Sequence, residues 1–237
     1  KDGRASGIMR RYTKSGILFG EISMDNGKKN GVTNWYYLNG TLKSEVPYTD
    51  DKKNGVAKVY DDKGKLGVEI PYDNGIENGM EKSYYANGML QREIPYKEGK
   101  IDGVMNVYYE NDTIKSSTTY IKDKKNGVEN EYYESGKLEA ERTYTVDKKS
   151  GTEKDYYENG DLETEIPYVN GVVTGVMKGY YKNGKKESET PYTNGKKNGV
   201  SSKYYEDGKL KSEIKYNMDK VSDMKNWDEK GDEIQQN

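Results

Sequence analysis

The chain reads as an all-β protein: an elongated single-layer antiparallel β-meander built from tandem 24-residue hairpin repeats. Three observations predict this. Glycine recurs at 7, 31, 55, 79, 103, 127, 151, 175 and 199 with no insertion between copies. The segments between these glycines are short runs rich in β-branched and aromatic residues, bounded by Gly/Asn/Asp clusters, which is the pattern of strands joined by tight turns. All 24 tyrosines fall on three positions of the repeat, a regularity expected of a lattice of equivalent contacts.

With each of those glycines as position 1, a repeat reads approximately G-V-x-x-x-Y-Y-x-N-G-x-L-x-x-E-I-P-Y-x-x-G-K-K-N, as from Gly79 to Asp102. Residues 1–6 align with the closing loop of a missing or truncated repeat. Residues 7–222 hold nine repeats, and 223–237 form a degenerate half-repeat cap recognisable by Trp227 and Gly231. Positions 2–7 are expected to form a first strand and positions 12–18 a second. The turn between them, as in Tyr157 to Asp161, is expected to be type I closed by a left-handed glycine bulge, because Ser15, Lys63 and Ser135 fit that turn better than a two-residue type I′ loop.

That turn would place positions 2, 6, 12, 16 and 18 on one face as a continuous apolar stripe, with positions 3, 5 and 7 opposite, since register follows the need to bury one face. Pro47, Pro71, Pro95, Pro167 and Pro191, all at position 17, are expected where the ladder needs no N–H donor. Two strands at ~4.8 Å each advance the chain roughly 9–10 Å per repeat, so the whole is expected to extend on the order of 90 Å. Each repeat would contact only its neighbours.

Composition narrows the function classes. Hydrophobic residues make up 31% and charged residues 34%, which by itself leans towards disorder, but an aromatic fraction of 11% does not fit a disordered chain. Lys plus Arg is 39 against 41 Asp plus Glu, with no long block of one sign, which argues against nucleic acid as a partner. There is no Cys and no His, so thiolate chemistry and the commonest general base and metal ligand are absent. No stretch approaches the ~20 apolar residues of a membrane helix. The chain is accordingly expected to be no enzyme and to need no cofactor and no metal.

The repeat consensus resembles the bacterial variant of the MORN repeat over residues 1 to about 234. Among proteins carrying this variant is a group named as the antitoxin or immunity half of toxin pairs, the YwqK-like family. The resemblance implies a single-layer β-meander and a binding, scaffold or dimer-forming role. It also implies a name given for membrane recognition. Relatives named after phosphatidylinositol phosphate kinases carry a separate catalytic domain, for which no residues are left once the repeats are subtracted.

Gly179-Tyr180-Tyr181-Lys182-Asn183-Gly184-Lys185 matches most of a phosphate-binding loop, but Lys186 replaces the Ser/Thr that would hold Mg²⁺ and no helix follows, so it reads as a hairpin turn. The glutamates at position 15 are expected to pair with lysines such as Lys43, Lys115 and Lys211 and with tyrosine hydroxyls. Loop acids such as Asp25, Asp50, Asp51, Asp73 and Asp147 fit turn formation better than a calcium site.

The candidate protein-binding face comprises Trp35, Tyr37, Val59, Tyr85, Met105, Val107 and Tyr109, apolar or aromatic residues at positions 3, 5 and 7 of the second to fifth repeats. The sixth and seventh repeats carry Glu129, Glu131, Glu153 and Asp155 at the same positions 3 and 5. Tyrosine ladders that serve only stability are the competing account. A protein-binding module, as an antitoxin or immunity protein, is the leading reading. A cell-envelope or surface scaffold, cytoplasmic or exported in a bacterium, comes second. A lipid-surface binder comes last, because lysine pairs such as Lys28-Lys29 are diluted by acids. A homo-oligomer formed through the open end strands is a further arrangement that the fold permits.

Overall fold

A computed structural model describes residues 4–234 of the chain, so residues 1–3 of the expected closing loop lie outside the described residues. No described residue is helical, and the strands pair antiparallel in chain order. The chain divides into two bodies, Lys1–Ile114 with Tyr120–Asp123 and Lys115–Thr119 with Lys124–Asn237. Within each body the substantial contacts join strands close in sequence, so each is a meander with no second layer over it.

The first turn of the repeat is the expected type I turn with a glycine bulge. The Tyr37 carbonyl accepts from the Gly40 N–H at 3.0 Å, and the Tyr37 N–H donates to the Thr41 carbonyl at 2.8 Å. Gly40 sits at φ 85° and Gly160 at φ 96°, left-handed values that a Cβ disfavours. In the fifth repeat Asp112 takes this place at φ 69°.

The expected faces are wrong, and the reason is a second irregularity. Tyr36 pairs with Leu42, but Trp35 pairs with Ser44, so Lys43 is an extra residue in the returning strand. From there to the other end of the hairpin the register is shifted by one, which exchanges the faces of one strand relative to the other. Thr33 therefore pairs with Val46, and Val32 with Pro47. Positions 3 and 5 share a face with 14, 16 and 18, and position 2 lies on the other face beside 4, 15 and 17. Burial agrees: Ile22, Thr33, Ala57, Ile94 and Ala140 are buried, whereas Val32, Val56 and Val200 are close to half exposed.

A second hairpin turn closes every repeat. Positions 20 and 21 are both left-handed, as in Asp50 (φ 47°) and Asp51 (φ 68°), with Thr49 paired to Lys52 across them. This is a two-residue type I′ turn, and the Asn-Gly pairs at 26–27, 74–75, 170–171 and 194–195 are its sequence signature. Stacking is built in here. The Asp51 N–H donates to the Lys29 carbonyl of the preceding repeat, and the Asp51 carboxylate accepts from the Lys29 N–H at 2.8 Å. Asp147 and Asp219 clamp Lys125 and Lys197 in the same way. Ala5 and Ser6 serve the first repeat similarly, the Ala5 carbonyl accepting from Gly27.

Val146 occupies the first left-handed position at φ 49°, where a β-branched side chain is strained. Val146→Asn is expected to raise stability by about 0.5–1 kcal/mol, read as an increase in urea midpoint with unchanged slope.

Between repeats, Asn30, Gly31 and Val32 together oppose only Ser23. At the equivalent place the Pro47 carbonyl accepts from the Asn54 N–H at 3.0 Å. A strand residue directs its N–H and C=O to the same side, so the missing proline donor faces this irregular opening, as expected from its position. Where position 17 is not proline, the Ser23 and Thr119 hydroxyls donate to the Val32 and Val128 carbonyls at 2.8 and 3.1 Å.

Candidate functional site

The face bearing positions 2, 4, 6, 15 and 17 is occupied by a ladder that joins repeats. The Tyr36, Tyr60, Tyr84 and Tyr108 hydroxyls donate to Glu21, Glu45, Glu69 and Glu93 of the preceding repeat at 2.8–2.9 Å. Burial, and then the acceptor carboxylate, pushes Tyr60, Tyr84 and Tyr108 up to about 12. Several of these glutamates take their cations from position 4, as in Arg10–Glu21 (2.9 Å) and Lys82–Glu93 (3.4 Å), and not from the expected Lys43 and Lys211. The same extra residue explains this correction: Lys43 and Lys211 sit on the irregularity and lie over the rings of Tyr37 and Tyr205 at 5.4 and 5.2 Å.

Among the predicted binding residues, Trp35, Val59, Met105 and Val107 stand on the opposite face, the one they share with Ile22, Val46, Ile70 and Ile94. Trp35 lies across from Gly20 and stacks on Phe19 with ring centroids 6.0 Å apart. A Cβ at Gly20 would come within 2.7 Å of the indole, so the glycine is what admits the ring. Trp35 is thus packed between strands as well as displayed. Trp35→Ala is expected to cost about 2 kcal/mol, comparable with Leu42→Ala at the half-buried position 12, both measured by urea unfolding.

Tyr37, Tyr85 and Tyr109 lie at position 7, along the edge formed by the first turns. The hydroxyls of Tyr37 and Tyr85 donate to the Tyr60 and Tyr108 carbonyls of the next repeat at 2.9 and 2.6 Å. Tyr133, Tyr157, Tyr181 and Tyr205 repeat this bond at 2.6–2.8 Å. These tyrosines staple successive repeats, which favours the stability account of their regularity. The expected lysine pairs are also spent internally: Lys29, Lys53, Lys125, Lys149 and Lys197 lie over the rings of Tyr48, Tyr72, Tyr144, Tyr168 and Tyr216 at 4.3–5.1 Å. Lys28 and Lys124 pair with Asp50 and Asp147.

In the second body, the sixth and seventh repeats replace the apolar face with charge. Arg142, at position 16 where Ile, Val or Thr stands elsewhere, bonds Glu131 at 2.6 Å and Glu153 at 2.7 Å and approaches Asp155 at 3.7 Å. Lys149 bonds Glu153 at 2.6 Å, Lys125 bonds Glu129, and Thr118 donates to Glu129 at 3.1 Å. Glu129 and Glu153 are both only 6% exposed. Burial would push their carboxyls up, but the hydrogen bonds from lysine and, respectively, Tyr144 and Arg142 hold both below the usual range. Burial likewise opposes the Arg142 charge, and its glutamates overcome it, raising the guanidinium further. The sequence showed these charges but not their convergence, because the register that brings position 16 beside 3 and 5 depends on the unforeseen irregularity.

No group of three or more Asp or Glu poised to hold a metal occurs among the described residues. The phosphate-loop-like segment at Gly179 is a hairpin turn, with Gly184 N–H donating to the Tyr181 carbonyl at 2.8 Å.

No curated protein matches the chain. Solved structures described as "Crystal Structure of TcdB2-TccC3-TEV" and "Crystal Structure of TcdB2-TccC3" align at 12% and 11% identity with TM-scores of 0.20 and 0.18. They cover 89% and 93% of this chain but only 13% and 14% of those chains. The model of the MORN repeat variant matches residues 29–50, 53–74, 77–98, 101–122, 125–145, 149–170, 173–194 and 197–218. Matched eight times over in tandem, and across most of its length, the chain belongs to the MORN repeat variant family.

Proposed function

We propose that this chain is a non-catalytic protein-binding module whose docking face in the first body is formed by Trp35, Val59, Met105 and Val107, with Tyr37, Tyr85 and Tyr109 along its turn edge. One observation carries the reading: these apolar residues adjoin Ile22, Val46, Ile70 and Ile94 on a sheet face with no second layer over it. Val59 is 36% exposed there. An apolar sheet face left in solvent is where a partner gains most from association. The nine-repeat partition of residues 7–222, with the half-repeat from 223 as cap, is part of the same proposal.

The antitoxin or immunity role is the finer version, supported by the resemblance of the repeat to that group. An envelope scaffold shares the same face. A lipid-surface role draws little support from the lysine pairs, since one lysine of each lies over a tyrosine ring and Lys28 and Lys124 also pair with aspartates. The test measures affinity for the protein encoded beside this chain's gene, using the intact chain and a Val59→Lys/Val107→Lys variant whose circular dichroism matches it. Binding weakened about a hundredfold or more supports the face. An unchanged affinity overturns the face, and no binding by the intact chain overturns the immunity reading.

A further inference from the structure

The tyrosine ring at position 7 is a recurrent cation seat. Lys43 lies over Tyr37 at 5.4 Å, Lys182 over Tyr157 at 5.6 Å and Lys211 over Tyr205 at 5.2 Å. The ammonium comes either from position 13 of the same repeat or from position 8 of the next. At Tyr133 both sources are carboxylates, Glu139 and Glu158. The ring itself is fixed, because its hydroxyl donates to the Tyr156 carbonyl at 2.7 Å.

Tyr133 also lines a recess of about 290 Å³, whose walls include Glu139, Asp155 and Glu163 and whose floor is the buried Ala140. Its back wall is preorganised. Arg142 holds Glu131 at 2.6 Å, and the Thr164 hydroxyl donates to Asp155 at 2.5 Å. Glu139 and Glu163 are half-buried and have no hydrogen bond or ion pair among the described residues. Four carboxylates thus face one guanidinium in the lining. Burial, followed by Glu139, Glu163, Glu158 and Asp155, raises the Tyr133 hydroxyl above its ordinary range.

We propose that this recess binds an arginine or lysine side chain of a basic polypeptide segment, the cation stacking on Tyr133 and pairing with Glu139 and Glu163. Both halves of the interaction follow from the geometry. A cation over a tyrosine face gains most where it is also desolvated, and a neighbouring carboxylate supplies a charge-assisted hydrogen bond. The volume holds a guanidinium and part of its stem, whereas one water occupies about 30 Å³. At Tyr37, Tyr157 and Tyr205 this cation comes from the chain itself, and at Tyr133 the same seat is left for a partner. The surface lies in the second body and does not depend on the apolar face of the first.

Titration calorimetry of the full chain with a hexa-arginine peptide tests the proposal. Glu139→Lys places a lysine where Lys43 and Lys211 stand in their repeats, so it should fold and fill the seat from within. Glu98→Lys, in the first body, makes the same change in net charge. The expected result is binding by the intact chain, weakened about tenfold or more by Glu139→Lys and less than about twofold by Glu98→Lys. Equal weakening by the two would reduce the effect to net charge and overturn the proposal. So would peptide binding no stronger than that of hexa-glycine. If sedimentation shows a dimer that Glu139→Lys dissociates, the occupant is a second copy of this chain and the basic-partner proposal fails.

Discussion

Replacing Arg142 by alanine is expected to destabilise the second body by about 3–5 kcal/mol at neutral pH, the cost of removing one member of a buried charge network. The guanidinium is the shared partner of Glu131, Glu153 and Asp155, and only 18% of its side chain is exposed. Its loss leaves Glu153 with Lys149 as its one remaining cation. The neighbouring repeats suggest the control. Arg142→Ile with Glu153→Thr and Glu131→Val installs residue types found at positions 16, 3 and 5 elsewhere, as in Ile70, Thr33 and Val59. This triple variant should recover most of the loss, because an apolar replacement of similar volume commonly equals a buried ion network in stability. Urea unfolding by circular dichroism reads both values. A single variant within about 1 kcal/mol of the parent would mean that the network is solvated and weak.

The same network sets an acid limit. Glu129 and Glu153 have folded values held below the ordinary 4.5. A group depressed in this way adds stability that is fully present above its unfolded value and is lost as the pH falls through the folded one. The second body is therefore expected to lose stability below about pH 4.5. In Arg142→Ala the part of that slope due to Glu153 should shrink, as followed by urea midpoints from pH 6 to 3.

Gly103→Ala is expected to cost about 3 kcal/mol. Gly103 sits at φ 133°, and an added Cβ would lie 3.0 Å from Cγ and 3.1 Å from Cβ of Pro95. Two penalties combine, backbone strain of about 1–3 kcal/mol and overpacking against a rigid ring. Gly88→Ala separates them, since Gly88 has φ 88° and nothing within 4 Å of the added carbon. It should lose only the strain, about 1–2 kcal/mol. A cycle with Pro95→Ala should recover about 1 kcal/mol of the Gly103→Ala loss if the ring contact is real. Purely additive losses would leave backbone strain as the whole effect.

The glycine at position 1 and the proline at position 17 were each legible in the sequence, one as a conformational requirement and the other as a missing donor. Their contact was not. Gly55, Gly79, Gly103, Gly175 and Gly199 all face a proline of the preceding repeat, with an added Cβ at 2.8–3.1 Å. That proximity arises across the irregular opening between repeats, which no period in the sequence marks. The Asn-Gly pairs at positions 20 and 21 were visible as well. The type I′ preference of Asn-Gly between strands marks a second hairpin there.

The binding-face residues show the same division. Trp35, Val59, Met105 and Val107 share one face, because a strand alternates its side chains strictly. Their placement opposite Ile22 and Ile94 was wrong, because the face shared by two strands depends on every residue inserted between them. What the sequence determined by itself was the local order: strands, the glycine-bulged turn, the fixed period and the identity of the repeat. These follow from local backbone preference and from repetition. Only the tertiary structure decided the pairing across strands, where one extra residue at Lys43 and its equivalents moves position 3 beside position 16. That shift turns Arg142, Glu131 and Glu153 from scattered charges into one buried network, and it leaves Tyr133 as an aromatic seat among acids.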